Sequence, residues 1–289
     1  GRTRMQWWQS IILGIVEGLT EFLPISSTGH LNVVEKLMGM DIADQGVTAY
    51  TALIQVGAMV ASIVYFWRDI VRIATAWFAG LRGGRGAGEA SEARANPDYQ
   101  LGWAVIAGFA VTVVIALLGK GLIEGPLRNL WVIAWALILW GVVMFVADRV
   151  GKQTRGEHSI TWRDGLILGA VQSLALIPGV SRSGATISGA LLMGIDRVTA
   201  TRMSFFLGIP TLIAAGGFEA VISVKAISGG VGWGNTLIGL VVSGVVAYAS
   251  IAWLLKFVAH NRFDVFVVYR ILAGLLVMGL LWQGLSPAA

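Results

Sequence analysis

The sequence predicts an all-α polytopic membrane protein with six transmembrane helices and two re-entrant helical hairpins that form an inverted-topology repeat. Hydrophobic residues make up 56% of the 289 residues, and charged residues only 13%, about half the roughly 25% of soluble domains. The mean hydropathy is +0.76. A soluble protein of this size would expose much of that apolar surface to water, which excludes an ordinary globular enzyme. The absence of cysteine excludes disulfides, thiolate metal sites and a cysteine nucleophile.

Six apolar stretches are long enough to cross a bilayer. They lie at approximately Tyr50–Trp67, Leu101–Leu118, Leu130–Ala147, Ser204–Val224, Thr236–Val258 and Val265–Trp282. The segment Arg82–Asp98 between the first two is rich in Gly, Ala, Arg and Glu, which predicts a mobile polar loop. A second polar loop, Gly151–Asp164, follows the third span. Gly1–Arg4 precede Met5 and are interpreted as a remnant of cloning that is not part of the fold.

Two further apolar stretches, Met5–Leu23 and Gly165–Ile177, do not fit as spans. Each is followed by a proline, a hydroxyl-rich run and another apolar piece. A short helix, a polar break and a second short helix describe a re-entrant hairpin. Non-helical backbone at membrane depth is stable only inside protein or beside a wet cavity. The polar runs, Ser26–His30 and Ser181–Thr186, are therefore expected to line a cavity.

The two hairpin regions resemble each other at an offset of 155 residues. Ser26–Gly29 matches Ser181–Gly184, and the residues before Glu17 match those before Gln172. Three predicted spans separate the hairpins, and an odd number inserts the second unit upside down, as in many transporters whose ligand site lies at the repeat interface. We therefore predict one integral membrane domain over residues 1–289, with repeat 1 at about 5–147 and repeat 2 at about 165–283.

The distribution of lysine and arginine residues among the loops predicts the orientation of the chain in the membrane. Eleven lie in the loops after the first, third and fifth spans, against three in the loops on the other side. The first set is therefore expected in the cytoplasm, with both chain ends outside. The formal net charge of +5 fits arginine-rich cytoplasmic loops. Because the basic residues form no patch interleaved with aromatic residues, nucleic acid is excluded as a partner.

Glu17 and Glu21 lie four residues apart on a predicted apolar helix, so their carboxylates face the same side. Two carboxylates at membrane depth repel each other unless a cation lies between them or one is protonated. Oxygen ligands favour a hard divalent cation, Mg²⁺ or Ca²⁺. The alternative is an interfacial helix whose glutamates face water. The matching position of the second repeat is Gln172, an uncharged oxygen ligand or hydrogen-bond partner.

Hydroxyl groups and one imidazole follow the acidic pair at the first turn, as Ser26, Ser27, Thr28 and His30. One of the hydroxyls is expected to cap the next helix after Pro24. Capping explains one hydroxyl but not three together with an imidazole. Since imidazole titrates near neutral pH, His30 is the candidate proton shuttle.

Arg182 is the single cation of the second turn, and it lies just before an apolar run, hence near a helix N-terminus. A guanidinium, free backbone amides and the helix dipole together suit a phosphate group. Ser181, Ser183, Gly184 and Thr186 add donors and permit close approach of the backbone. The alternative is that Arg182 snorkels to the interface.

Two further polar side chains lie inside the predicted spans. Gln55 in the first span and Arg270 in the sixth either complete the cavity or only bond neighbouring helices. Taken together, the carboxylate pair, hydroxyls, imidazole and arginine suit a ligand with phosphate groups. A site within the bilayer suits a ligand whose remaining part is hydrocarbon. A lipid phosphate or diphosphate meets both conditions. Breaking its phosphoanhydride requires charge neutralisation, an aligned nucleophile and a proton donor.

Two long motifs resemble the signatures of a known family. The run from Glu17 to His30 resembles the first signature of the bacterial undecaprenyl-diphosphate phosphatases, membrane enzymes associated with bacitracin resistance. The run from Pro178 to Thr186 resembles the second. Both motifs are specific, and their spacing and the span count extend the resemblance over nearly the whole chain.

The resemblance implies hydrolysis of undecaprenyl diphosphate to the monophosphate and inorganic phosphate, which recycles the lipid carrier of cell-wall synthesis. It also implies dependence on Mg²⁺ or Ca²⁺, and a site open to the outer face of the bacterial plasma membrane. In the family, Glu17 and Glu21 would be metal ligands or acid/base groups. Ser27 and His30 would take part in the catalytic step, and Arg182 would bind the phosphate.

Several alternatives stay open at this point. The nucleophile is either Ser27 or a water molecule. The alternative function is a transporter or flippase of an anionic or lipid-phosphate ligand, because broken helices and inverted repeats are typical of carriers. A carrier, however, has no use for a nucleophile and a proton shuttle at the same turn. The expected partner is a polyprenyl diphosphate lipid, and a homodimer is left open.

Overall fold

The computed structural model describes residues 5–83 and 87–289, so the proposed remnant Gly1–Arg4 lies outside the described residues. Two short 3₁₀ helices lie at Glu157–Ser159 and Ser173–Leu176. The described residues form thirteen α-helices, which in chain order are α1 (Trp7–Thr20), α2 (Ser27–Leu37), α3 (Gln45–Tyr65), α4 (Trp67–Arg82), α5 (Ala87–Ala95), α6 (Pro97–Leu118), α7 (Lys120–Glu124), α8 (Leu130–Val150), α9 (Trp162–Gln172), α10 (Arg182–Leu192), α11 (Arg197–Gly229), α12 (Trp233–His260) and α13 (Asp264–Trp282).

Six of these helices are long and apolar enough to cross a membrane, namely α3, α6, α8, α11, α12 and α13. Each coincides with one of the six predicted spans, and most extend the predicted bounds by a few residues. The prediction of a helical, multi-pass chain with six spans is confirmed. The two pairs of short helices, α1 with α2 and α9 with α10, occupy the positions where short helices around a polar break were predicted.

The short helices α1 and α9 approach the long helices closely through glycine. Helix α1 packs on α12, and α9 packs on α6. A Cβ atom on Gly18 would lie 2.8 Å from the carbonyl oxygen of Ser243, and one on Gly169 would lie 2.3 Å from that of Gly108. Because no side chain fits at these distances, glycine is what allows the contact. This packing fixes the positions of the two turns that follow α1 and α9.

Helix α9 begins at a charged cap. Thr161 and Asp164 form a capping box, and Arg155 donates hydrogen bonds of 3.0 and 2.6 Å to Asp164. Burial acts to raise the pKa of Asp164, but the Arg155 guanidinium and the Thr161 amide outweigh it and hold that pKa below its usual value. Asp164 therefore stays ionised at neutral pH and anchors the helix that leads to the second turn.

The prediction of a mobile loop at Arg82–Asp98 is wrong for most of the segment. Helix α5 fills much of the segment, and α4 and α6 reach into its two ends, while residues 84–86 lie outside the described part of the chain. Four of the nine residues of α5 are alanine, the strongest helix former. Arg94 also donates a 3.0 Å hydrogen bond to the carbonyl of Gly80, which ties α5 to α4. The polar composition indicated exposure to water, not an absence of structure.

A network of ion pairs joins α4, α6, α11 and the turn at Glu157. Arg202 contacts Asp69 at 2.6 Å and Glu157 at 2.7 Å. Arg72 contacts the same two carboxylates and Asp98. These residues come from the loops that hold most of the lysine and arginine residues, and from the helix ends beside them. The network therefore closes the side of the molecule that the charge pattern predicts to be cytoplasmic.

Candidate active site

Two carboxylates are buried at the end of α1. Glu17 is 0% exposed, and Glu21, the residue after α1, is 8% exposed. Neither oxygen of Glu17, nor Oε2 of Glu21, has a hydrogen-bond partner among the described residues. The alternative of glutamates that face water is therefore wrong. Buried carboxylates without donors are costly, so the pair requires positive charge close by.

Arg182 joins the second turn to the acidic pair. It is the first residue of α10, as its position before an apolar run predicted. Its Nη2 lies 3.6 Å from Oε1 of Glu21, and its Nη1 donates a 3.1 Å hydrogen bond to the carbonyl of Ser204. Glu17 lies within electrostatic range of both charged groups. Arg182 therefore does not snorkel to the interface, and one guanidinium faces two carboxylates.

The two turns share an unusual backbone conformation. Ser26 and Ser181, which the offset of 155 residues matches, have φ angles of 73° and 80°. Residues other than glycine seldom adopt this region, and such strain is concentrated at functional sites. Each serine also caps the helix that follows, because Ser26 accepts a 3.2 Å hydrogen bond from the amide of Gly29 and Ser181 accepts one of 3.1 Å from Gly184. The expected capping hydroxyl of the first turn is therefore Ser26.

Helices α2 and α10 begin at these turns with free backbone amides. The N–H groups of Ser27, Thr28, Arg182 and Ser183 have no acceptor among the described residues. A helix N-terminus carries a partial positive charge and binds phosphate and carboxylate groups. An anion held between the two turns would thus receive donors from both helices.

The hydroxyl groups near the turns are of two kinds. Those of Ser27 and Thr28 make no hydrogen bond with the described residues, and Thr28 is exposed. The hydroxyl of Ser183 lies 3.2 Å from that of Ser181. Thr186 is fully buried, and its hydroxyl donates to the backbone of its own helix at 3.0 Å. Ser27 and Thr28 are therefore available to a ligand, whereas Thr186 stabilises α10.

His30 lies one turn after Ser27 on α2 and is held through both ring nitrogens. Its Nδ1 lies 2.7 Å from the carbonyl of Ser26, which can only accept, so Nδ1 donates. In the neutral ring, Nε2 then accepts the hydrogen bond of 2.6 Å from the hydroxyl of Tyr269, whose ring also stacks on the imidazole. Tyr269 was not predicted as a site residue. Its only signal in the sequence was its position beside the charged Arg270 in an apolar span.

Replacing Tyr269 with phenylalanine is expected to lower kcat about 10-fold, because one hydrogen bond that orients His30 is lost. The unfolding temperature should change little, since the ring that stacks on His30 remains. Steady-state phosphate release and thermal unfolding in detergent measure the two effects. Tyr248→Phe is the matched control, because Tyr248 is an exposed tyrosine of α12. An unchanged kcat in Tyr269→Phe would mean that the hydroxyl does not orient His30 for catalysis.

The structure places the two predicted glutamines in different surroundings. Gln172 donates to the hydroxyls of Thr112 and Thr211 at 2.9 and 3.3 Å and so joins α9 to α6 and α11. Its Oε1 is buried without a partner among the described residues. Gln55 lines a polar cavity of about 190 Å³ beside α2 and α3, which also includes the buried Glu35. Gln172 thus connects helices, whereas Gln55 faces a cavity.

Arg270 contacts both turns from the middle of α13. It is fully buried, and it donates one hydrogen bond of 2.9 Å to the carbonyl of Pro24 and another of 2.9 Å to that of Gly179. The sequence left open whether Arg270 completes the cavity or bonds neighbouring helices. The structure shows that it binds the backbone of the turns that carry the other predicted site residues.

Comparison with known proteins identifies the family. The chain matches the family described as bacitracin resistance protein BacA over residues 10–276. It is 53% identical to the undecaprenyl-diphosphatase of Cutibacterium acnes, over 98% of this chain and 100% of the relative. It is 50% identical to undecaprenyl-diphosphatase 3 of Frankia casuarinae, over 97% of this chain and 98% of the relative. It is 51% identical to undecaprenyl-diphosphatase 1 of Streptomyces coelicolor, over 96% of both chains. The chain therefore belongs to the bacitracin resistance protein BacA family, as the motifs of its two turns indicated.

Proposed function

We propose that this protein hydrolyses undecaprenyl diphosphate to undecaprenyl phosphate and inorganic phosphate. The observation that carries the proposal is the 3.6 Å contact between Arg182 of the second turn and Glu21 beside the first. It brings a cation, an acidic pair and two helix N-termini to one place among apolar helices. Relatives with 50 to 53% identity are named undecaprenyl-diphosphatases, which supports the lipid diphosphate as substrate.

The terminal phosphate would bind to Arg182 and to the free amides at the starts of α2 and α10. The guanidinium and both helix dipoles favour negative charge there. The same donors would stabilise the charge that develops as the phosphoanhydride breaks, provided that they are already in place before the reaction. The caps at Ser26 and Ser181 hold the first turns of both helices in this arrangement.

A divalent cation, Mg²⁺ or Ca²⁺, fits the acidic pair. Three carboxylate oxygens of Glu17 and Glu21 are buried without a donor, and the single guanidinium of Arg182 does not balance two carboxylates. Glu17 and Glu21 would hold the cation, which would neutralise charge on the diphosphate. The described residues contain no cluster of three or more His, Cys, Asp or Glu side chains for a metal. Phosphate oxygens and water would therefore supply the other ligands.

In the proposed reaction an oxygen nucleophile attacks the terminal phosphorus, and the bond from this phosphorus to the bridging oxygen breaks. The electron pair stays on the bridging oxygen, which becomes part of undecaprenyl phosphate. Glu21 orients or activates the nucleophile, and His30 accepts the proton that the nucleophile loses. If Ser27 attacks, a water molecule then hydrolyses the resulting phosphoserine and releases inorganic phosphate. The nucleophile is Ser27 or water. Rapid quenching with substrate labelled in its terminal phosphate distinguishes them, because only attack by Ser27 leaves the label on the protein.

The inverted-topology repeat is supported by features that recur in both halves. Ser26 and Ser181 have the same backbone conformation and the same capping contact at the predicted offset. Helix α1 of the first half packs on α12 of the second, and α9 of the second half packs on α6 of the first. A two-fold relation between repeats produces such exchanged contacts.

The ends of the two helix pairs support re-entrant hairpins. Before α1, the carbonyl of Met5 accepts a 2.7 Å hydrogen bond from Asn235, and Lys36 near the end of α2 donates to the carbonyl of Ser286. Both contacts involve parts of the chain predicted to be outside. At the other pair, the segment before α9 and the segment after α10 meet on the predicted cytoplasmic side, where the amide of Arg155 donates a 2.9 Å hydrogen bond to the carbonyl of Gly194.

Aromatic rings and ion pairs on the cytoplasmic side of the site support an opening to the outer face of the plasma membrane. The rings of Phe22, Phe66 and Phe205 pack together with centroid distances of 5.3 and 4.9 Å. The ring of Phe22 also lies 5.9 Å from the guanidinium carbon of Arg182. Beyond these rings lies the ion-pair network around Arg202. Apolar rings followed by paired charges would prevent the substrate headgroup from leaving toward the cytoplasm.

Labelling of single cysteines tests this orientation, since the chain has no native cysteine. Ser91→Cys and Ser159→Cys are expected to react with a membrane-impermeant maleimide only after the cells are opened. Ser228→Cys is expected to react in intact cells. The reverse pattern would place the opening of the site in the cytoplasm and contradict the proposed location of the reaction.

Phosphate release in detergent tests the function against the alternative of a transporter or flippase. Without a membrane there is no gradient, so release of inorganic phosphate from C15 or C55 diphosphate requires hydrolysis. Arg182→Ala, purified in parallel, controls for a contaminating phosphatase. If the wild-type protein binds the C55 diphosphate and releases no phosphate, the carrier hypothesis replaces the hypothesis of an enzyme.

Light scattering on the same preparation tests whether the protein is a homodimer.

A further inference from the structure

Arg270 is a buried cation that the proposed reaction does not use. It lies in the membrane-spanning helix α13 and is 0% exposed. No carboxylate of the described residues lies within 4.0 Å of its guanidinium, in contrast to Arg182 and Arg202. A charge at membrane depth is costly and marks a functional role by default. Its cost must be offset by the contacts that the guanidinium makes.

The guanidinium donates four hydrogen bonds to backbone carbonyls. Two go to α8, from Nε to Leu137 at 3.2 Å and from Nη2 to Ala136 at 3.3 Å. The two shorter ones go to the turns, from Nη1 to Pro24 and from Nη2 to Gly179, both at 2.9 Å. One side chain thus connects the first turn, the second turn and a transmembrane helix.

The turn contacts lie close in sequence to the groups that would bind the substrate. Pro24 is three residues after Glu21, and Gly179 is three residues before Arg182. The carbonyl groups of Pro24 and Gly179 are outside regular helix, and no backbone amide of the described residues donates to either of them. Arg270 satisfies one carbonyl in each turn and so fixes the distance between the turns. If Arg270 only joined helices, its contacts with α8 would be sufficient.

We propose that Arg270 is a positioning residue that holds the two turns at the separation in which Glu21 and Arg182 face the same diphosphate. This inference rests on the proposed hydrolysis, because the groups that it positions are those of the proposed site. The planar fork of guanidinium presents its nitrogens in several fixed directions, whereas lysine has one nitrogen. Lysine can therefore keep the charge without connecting both turns.

Gly184 is part of the same arrangement. A Cβ atom at this position would lie 3.1 Å from Nη1 of Arg270 and 3.3 Å from Cβ of Ser181. A side chain at residue 184 would crowd the guanidinium, so glycine gives Arg270 more room beside the first turn of α10. The motif around Arg182 thus serves two arginines, one that faces the site and one that lies behind it.

Kinetics of Arg270→Lys provide the first test. We expect kcat for C15 diphosphate to fall about 100-fold, since displacements of about 1 Å at a reacting centre can have this effect. KM should stay within about three-fold, because Arg182 and the free amides remain. The matched control is Arg149→Lys, whose side chain is 39% exposed in a surface ion pair. Retention of more than a third of the wild-type kcat by Arg270→Lys would overturn the proposal, since charge alone would then suffice.

Hydrogen exchange provides a test that does not depend on activity. In Arg270→Lys, amides in residues 22–30 and 177–186 should exchange at least 10-fold faster than in the wild type, while those of α12 stay unchanged. Exchange that rises equally throughout the protein, together with a normal kcat for each folded molecule, would show a purely structural role and overturn the proposal. Unchanged exchange in both turns would overturn it as well. Arg270→Gln serves as the second variant if the lysine protein is not recovered folded.

The wild-type assay separates the failure of this inference from the failure of the proposed function. If the wild type releases no phosphate, the hydrolytic function fails, while faster exchange in both turns of Arg270→Lys would still support the connection between them. If the wild type is active and the lysine variant is equally active with unchanged exchange, only the positioning role fails.

Discussion

Arg182→Ala is expected to lower phosphate release from C15 diphosphate about 1,000-fold, because one preorganised donor to a developing oxyanion is worth 10² to 10³ in kcat. The guanidinium is the only side-chain cation found beside Glu21 in the described residues, at 3.6 Å. Without it, the buried carboxylates would face the anionic substrate with no protein charge to balance them. Initial rates of phosphate release, normalised to folded protein, measure the loss.

Arg182→Lys separates charge from geometry at this position. Lysine keeps the charge but cannot contact Glu21, the carbonyl of Ser204 and a phosphate through several nitrogens, so it should not restore the full rate. Arg149→Ala is the control for the loss of an arginine from the surface. Retention of more than a tenth of the wild-type rate by Arg182→Ala would mean that the anion site lies elsewhere.

Gly208→Ala is expected to lower kcat about 100-fold while the protein stays folded. A Cβ atom on Gly208 of α11 would lie only 1.6 Å from Nη1 and 2.7 Å from Cζ of Arg182. The new methyl group and the guanidinium cannot occupy the same space, and the flexible side chain of Arg182 is the group that moves. The displacement breaks its hydrogen bond to Ser204 and moves the cation away from the substrate.

Gly217→Ala is the matched control for Gly208→Ala, because it lies on the same helix and a Cβ atom there would meet nothing within 4 Å. Alanine forms helix better than glycine, so both variants gain up to about 1 kcal/mol of helix propensity. Gly217→Ala should therefore unfold at or above the wild-type temperature. Gly208→Ala should remain folded although the displaced Arg182 loses its contacts, and only this variant should lose activity. A normal kcat in Gly208→Ala would show that the active protein does not hold Arg182 against α11.

The transmembrane helices could be predicted because their signal is local. Each span is a continuous apolar stretch, and the cost of unpaired backbone in lipid leaves helix as the available structure. The same local reasoning failed at residues 82–98. There a polar composition predicted a mobile loop, but alanine content and the contact from Arg94 to α4 produce a helix. Composition reports exposure to solvent more reliably than it reports order.

Most of the candidate site could also be predicted, since its residues belong to two compact motifs. Glu17 and Glu21 are one helical turn apart. Arg182 lies at the start of a helix, as the apolar run after it predicted. The contributions of Tyr269, Gly208 and Arg270 could not be predicted in the same way. Tyr269 contacts His30 across 239 residues of sequence, and Arg270 contacts Pro24 across 246. No local pattern encodes contacts of that length.

By itself, the sequence determined that this chain is a multi-pass helical membrane protein, and it identified the two polar turns with their acidic, hydroxyl and arginine residues. These properties follow from hydropathy and from residues that are neighbours along the chain. Only the tertiary structure decided that Glu21 and Arg182 meet, that Gly208 leaves space for the guanidinium and that Arg270 connects both turns. Those outcomes depend on how α11, α13 and the two short helix pairs pack against one another. That packing is determined by contacts between residues that are far apart in sequence.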